Sequence, residues 1–245
     1  MKRRDFEDLN LTQVCKSEES EDEGSDRSSG GKPRSEVSWK KYHELFPMFK
    51  YADLDNKLYF GVYCVLRFFM VMRCSYGFVH ADQYWQSTEV AYDMVYGGCH
   101  LPWEWNHDQR IRSVLYPFYL SLPIRLLQAL GIDYYWTIRD GYQVAQFFLV
   151  MLGDYYFFKV SQMVLGKKGA QISMIFYICS KFLNMHLIKC FGNSVETIFS
   201  IVMFYYYFRI TDKFDRNIAI FAFLGVLSFM IRCTSIIGWI PLVVI

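Results

Sequence analysis

The chain has 245 residues, 53% of them hydrophobic and 19% aromatic, an aromatic share well above that of an ordinary soluble domain. Its formal net charge of +2 excludes a nucleic-acid binder held by bulk charge. Residues 1–57 hold about half of the charged side chains and long stretches after Tyr59 hold almost none, the distribution of a polar tail joined to a membrane body.

Residues 1–36 are polar, acidic and Ser-rich, with the run Glu18-Glu19-Ser20-Glu21-Asp22-Glu23. So little apolar surface cannot offset the entropy of ordering, and the segment reads as disordered. Trp39, Tyr42, Leu45, Phe46 and Phe49 suggest a short helix lying on a membrane surface within 37–57. Residues 1–57 are therefore expected to form a cytosolic tail. With no cleavable signal peptide in view, the first span is expected to act as a signal-anchor.

Leu58–Met72 is apolar except for Arg67. A span needs about 20 residues, so this one extends back into 51–57 or on to Tyr76. Further apolar runs lie at 141–158, 170–188, 195–208 and 217–245. Polar interruptions within them suggest helices packed in a bundle. The fold expected is an all-α membrane protein, a multi-span bundle over 58–245 with a first loop of amphipathic helices.

Lys40, Lys41, Lys50 and Lys57 precede the first run, Lys159, Lys167 and Lys168 follow the second, and Arg209, Lys213 and Arg216 follow the fourth. If each run crosses once, all three groups share a side, which the positive-inside rule makes cytosolic. The long segment 75–136 is then lumenal, and long loops are usually functional. There is no GxGxxG, no HExxH and no CxxC among the seven cysteines. A Cys74–Cys99 disulfide is one pairing this lumenal placement allows, although connectivity is not readable from sequence.

The loop opens His80-Ala81-Asp82-Gln83-Tyr84-Trp85-Gln86. On a regular helix Asp82, Gln86, Glu89 and Asp93 form one acidic stripe, opposite Tyr84, Ala91 and Val95 with Met94 beside them. The acidic face is expected to meet water or a polar substrate and the apolar face the bilayer interface. Leu101-Pro102-Trp103-Glu104-Trp105-Asn106 places two Trp around an acid, which suits the headgroup level. A second apolar helix follows from Arg110-Ile111-Arg112 towards Gly131. These residues keep plainer readings too: Asp82 as an acid favoured by a helix N-terminus, the Trp pair as interface anchors, Arg112 as a headgroup contact. His80 and His100 alone do not make a metal site.

Taken together, the motifs resemble glycosyltransferase family 22, the dolichyl-phosphate-mannose-dependent mannosyltransferases of the GT-C fold. That family opens its first lumenal loop with a pattern like H/P-x-D-E-x-[FYW]-Q. The likeness is nearest to the members that add the third mannose of the GPI anchor. Their D-E-Y-W-Q-S-x-E-V, T-W-E-W and L-R-S-x-x-Y-P are matched by Asp82 to Val90, Pro102-Trp103-Glu104-Trp105, and Ile111-Arg112-Ser113 with Tyr116-Pro117. Gly192-Asn193-Ser194-Val195-Glu196-Thr197 fits a fourth motif in part, and Ile231-Arg232-Cys233-Thr234-Ser235 with Trp239-Ile240-Pro241-Leu242 a fifth. Gln83 stands where the family has a second acid, and Cys233 where it has proline.

The resemblance implies an inverting transfer of mannose from dolichyl-phosphate-mannose to the GPI-anchor precursor, α1,2-linked, at the lumenal face of the endoplasmic reticulum. It implies Asp82 as catalytic base, Gln83, Gln86, Trp103 and Glu104 as substrate contacts, and Arg112 and Arg232 as phosphate contacts. It implies no metal and no cofactor beyond the lipid-linked donor, and as partners the bilayer, the donor lipid and the acceptor glycolipid. Family members are about twice as long, so a fragment is expected. The alternatives are a related acceptor (the fourth GPI mannose or an N-glycan precursor) and a non-catalytic membrane transporter or scaffold.

Overall fold

The computed structural model describes residues 52–74, 81–105, 111–210 and 215–239. The chain divides into two units, 1–42 and 43–245, and every described residue lies in the second. The expected disordered tail, nearly all of the interfacial segment 37–57, and the positions of His80, Asn106, Arg110, Pro241 and Leu242 lie outside the described residues.

The described residues are helical, with no strand among them. Helix α1 is Lys57–Cys74. Asn56 starts it by accepting the Leu58 N–H on its side-chain oxygen at 3.0 Å, which satisfies one of the donors a helix leaves open at its N-terminus. A π turn (Tyr84–Thr88) runs into α2 (Glu89–Tyr96), and a 3-10 turn (Trp103–Trp105) precedes α3 (Leu115–Ala129). Then come α4 (Tyr135–Cys179), α5 (Lys181–Leu187), α6 (Gly192–Phe208) and α7 (Arg216–Ile231).

Helix α4 is two arms meeting at Gly166, whose φ of +71° interrupts the helix at a residue able to adopt it. Twenty helical residues would hold Phe157 and Tyr177 about 30 Å apart. Their rings instead stack at 4.3 Å, so the second arm folds back along the first. The first arm is the spine of the bundle, touching α1, α3 and α6. Two glycines let neighbours close on it: a Cβ at Gly141 would meet the Ile124 side chain at 3.0 Å, and one at Gly153 the Ile198 side chain at 3.1 Å. Leu120, Ile124, Val150, Phe158, Met174, Val195 and Ile198 fill the core.

Polar side chains sit inside with them. Arg67 and Asp154 are 1% and 0% exposed and pair at 2.8 Å. Tyr63 donates to the same carboxylate at 2.6 Å, and Arg67 also donates to Asn184. The outward faces are apolar: Leu58, Val62, Leu66 and Phe69 on α1, Phe148 and Phe176 on α4, Phe223 and Val226 on α7 are all exposed. The interruption at Arg67 thus marks a packed helix, as the sequence suggested.

Two boundaries differ from the sequence reading. The 170–188 run breaks at Ser180, where extended backbone separates α4 from α5 and the Ser180 hydroxyl caps the new helix. The α5–α6 pair bends by 109°. The last run does not stay helical from 217 to 245: α7 ends at Ile231, and Arg232 is extended. No single described helix is long and apolar enough to cross a membrane, although the bent α5–α6 pair passes together. The physical reason in α1 is its three charges, Lys57, Arg67 and Arg73, one of them already neutralised inside.

The element order gives the bundle two ends. Lys159 and Lys167 pair with Asp55 and Asp53 at 2.6 and 2.8 Å, so the approach to α1 and the Gly166 turn share one end. The other end holds α2, α3, the start of α4 and the α5–α6 bend, joined where Gln146 receives a hydrogen bond from Tyr116 and donates to the Leu187 carbonyl. The residues singled out as chemical lie at this second end.

Candidate active site

The π turn decides which way the loop's side chains point. The Glu89 N–H reaches back five residues to the Tyr84 carbonyl, one more than in an α-helix. One added residue turns everything beyond it by about 100°. The single acidic stripe is therefore not formed. Asp82 and Gln86 line one cavity, and Glu89 lines another on the far side of the turn. Tyr84 and Ala91, expected to share one apolar face, part company: Tyr84 is 42% exposed, and the buried positions are Gln83, Ser87, Val90 and Ala91.

The cavity at Asp82 has a volume of about 400 Å³ and is walled by Asp82, Trp85, Gln86, His100, Trp103 and Glu104, among others. Two motifs meet here because the chain reverses at Gly97 and Gly98, with φ of +71° and +80°. Side chains rarely adopt that conformation, and two adjacent glycines permit it. Asp93 locks the reversal: its carbonyl accepts the Gly97 N–H at 2.9 Å and its carboxylate the Cys99 N–H at 3.0 Å. So the last acid of the expected stripe holds the turn that brings Trp103 and Glu104 over Asp82. Cys99 carries a free thiol, and the Cys74 side chain lies outside the description. Burial pushes the Cys99 thiol pKa up, with the carboxylates of Glu89 and Asp93 adding to the shift.

Four of the predicted site residues thus line one cavity: Asp82, Gln86, Trp103 and Glu104. Arg112 joins them through Glu104, donating from Nε at 2.9 Å and Nη2 at 3.2 Å, a two-pronged ion pair. Gln83 faces the other cavity. Arg232 lines neither. It follows α7 and reaches the first turns of α6, where it donates to Asn193 and its Nε lies 3.0 Å from Glu196 Oε2, close enough for an ion pair but not aligned as a hydrogen bond. The fourth and fifth motifs, 39 residues apart, therefore meet as one cluster at the same end of the bundle. Neither arginine lacks a carboxylate partner, so a phosphate arriving at either must share it.

Sequence reasoning missed the second cavity, of about 610 Å³, whose walls include Gln83, Glu89, Tyr92, Asp133, Tyr142 and Gln143. Its advance signals were Gln83, already named as a substrate contact, and polarity at Tyr142 and Gln143, at the head of an otherwise apolar run.

The chain belongs to the Alg9-like mannosyltransferase family, whose model matches residues 58–245. It is 29% identical over 192 residues to the GPI alpha-1,2-mannosyltransferase 3 of Bos taurus, covering 78% of this chain and 35% of that protein. To the mannosyltransferase APTG1 of Arabidopsis thaliana it is 29% identical over 166 residues, 66% of this chain and 30% of the relative. A shorter stretch of 73 residues, 30% of this chain and 13% of the relative, is 48% identical to the GPI mannosyltransferase 3 of Trypanosoma brucei brucei. The chain spans about a third of the length of the first two. No solved structure matches it.

Proposed function

We propose that this chain is the catalytic-loop portion of an inverting mannosyltransferase that moves mannose from dolichyl-phosphate-mannose to the GPI-anchor precursor, as its third, α1,2-linked mannose. The observation that carries the reading is the cavity in which Asp82 faces Gln86, Trp103 and Glu104, drawn from two separated motifs. The names of the relatives support the acceptor class.

In this reading the acceptor hydroxyl gives its proton to the Asp82 carboxylate as its oxygen bonds to the anomeric carbon. The bond from that carbon to the phosphate oxygen breaks, and dolichyl phosphate leaves. A β-linked donor then gives an α-linked product in one displacement. A base in hydrogen-bond reach of the hydroxyl is what such a step requires. Trp85 and Trp103 offer broad faces to sugar carbons, and Gln86 hydrogen-bonding groups to hydroxyls. Arg112, ion-paired to the lining residue Glu104, supplies a cation beside the cavity for the developing phosphate charge.

The reading also sets the bundle in the endoplasmic reticulum membrane as a multi-pass protein, with the Asp82 end lumenal. Its support is the apolar exterior, with Phe, Leu and Val exposed on several helices while charged and amide groups such as Arg67, Asp154 and Gln146 pack inside. The lysines paired at the opposite end suit the cytosolic side.

The test is transfer by the full-length protein, in proteoliposomes, of labelled mannose from dolichyl-phosphate-mannose to GPI precursors carrying two or three mannoses, and to an N-glycan precursor. Product on the two-mannose precursor alone is expected. Product on either other acceptor instead moves the protein to another branch of the family, and no product on any overturns the reading.

A further inference from the structure

We propose that the second cavity is a subsite for a neutral sugar unit of the acceptor glycan, seated one or more units behind the hydroxyl that reacts at Asp82. This rests on the mannosyltransferase reading and adds a location and a ligand chemistry to it.

Three polar atoms belonging to residues of its wall are buried without a hydrogen-bond partner: Gln83 Oε1, Gln143 Oε1 and the Tyr142 hydroxyl. The three residues are 3%, 7% and 7% exposed. A buried polar group left unpaired costs free energy, so natural structures keep only a few, and three of the seven among the described residues belong to this wall. Three on one wall point to a ligand that completes them. The terminal torsion of a glutamine is broad, so the two amide oxygens are free to turn to meet a ligand.

The kind of atom missing names the ligand. Two of the three are pure acceptors and the third is a hydroxyl, while Glu89 and Asp133 on the same wall also accept. The ligand must therefore bring donors. Sugar hydroxyls do, whereas a phosphate ester brings only acceptors, and on this wall the two carboxylates, Glu89 and Asp133, outnumber the one cation, Arg139. The Tyr84, Tyr92 and Tyr142 rings on the wall supply faces for a sugar's C–H surface. At about 610 Å³ the cavity falls in the range of about 300–1,000 Å³ typical of small-molecule sites.

The π turn links it to the chemistry. Asp82 and Gln83 are consecutive, yet they line opposite sides of the same turn. A glycan lying over this ridge sets one sugar against Gln83, Tyr142 and Gln143 and the next hydroxyl against Asp82.

The experiment uses the full-length protein and two readouts. Gln143→Leu and the milder Tyr142→Phe should each raise KM for the glycolipid acceptor about three- to tenfold, the range for one lost hydrogen bond, while KM for dolichyl-phosphate-mannose stays put. Independently, saturation-transfer NMR should detect an α-linked mannobiose on the wild-type protein, with the signal lost in Gln143→Leu and retained in Asp82→Asn. An acceptor KM unmoved in both variants, a rise confined to the donor KM, or mannobiose binding unaffected by Gln143→Leu overturns the proposal. If the protein transfers no mannose but mannobiose binding depends on Gln143, the cavity assignment stands and the transferase reading falls.

Discussion

Asp154→Asn is the sharpest perturbation the bundle offers. It keeps the side chain's shape but removes the charge that balances Arg67, leaving a guanidinium 1% exposed with Asn184 as its remaining neutral partner among the bonds described. Removing one member of a buried pair costs about 3–5 kcal/mol, since the other charge stays desolvated. Tm should fall accordingly. The double variant Arg67→Met/Asp154→Leu removes both charges and fills the space. It still strands Tyr63 and Asn184, at about 1 kcal/mol each, so it should lie about 2 kcal/mol below wild type. A double-mutant cycle of Arg67→Met, Asp154→Leu and their combination, measured by thermal melts of the full-length protein in nanodiscs, should then give a coupling above about 1 kcal/mol. If Asp154→Asn costs under about 1 kcal/mol, or if the single effects simply add, the pair is not the buried, mutually dependent lock described here.

Two more outcomes follow from the ends of the bundle. At the Asp55 end, the hydrogen bond from Lys159 holds the carboxyl pKa below its usual 3.8, with burial opposing it. A carboxylate depressed in the fold adds stability above its unfolded pKa and loses it as pH falls through the folded one. The stability gap between wild type and Asp55→Asn, at most about 1 kcal/mol for so exposed a pair, should be full at pH 7 and close below about pH 4; a gap that widens in acid contradicts the assignment. At the other end, Gly98→Ala meets no atom within 4 Å, so its cost is purely that of φ +80°, about 1–2 kcal/mol. It should also slow mannose transfer by loosening Trp103 and Glu104 over Asp82, whereas Gly61→Ala, equally open but helical, should do neither.

The sequence makes the helical class and the chemical end of this bundle readable, because apolar runs, lysine groups and ordered motifs are local signals. Arg67 in an apolar run announces a buried partner, but which acid it meets depends on helix rotation, and Asp154 is 87 residues away. The helical wheel fails at Asp82–Asp93 because it assumes a constant 100° step, and one five-residue hydrogen bond from Glu89 to Tyr84 breaks that assumption. The same bond divides the site between two cavities. Asp82, Gln86, Trp103 and Glu104 line one cavity because the Gly97-Gly98 reversal is short. Arg232 and Gln83 go elsewhere, because their neighbours are set by tertiary packing.

The account turns on the Asp82 carboxylate as the proton acceptor in mannose transfer. The direct measurement is the single-turnover rate of the full-length protein against its Asp82→Asn variant, at saturating donor and acceptor, with donor binding measured alongside. Loss of a general base predicts a fall of about 10²–10⁴-fold with donor affinity unchanged. A rate within about twofold of wild type would contradict the claim.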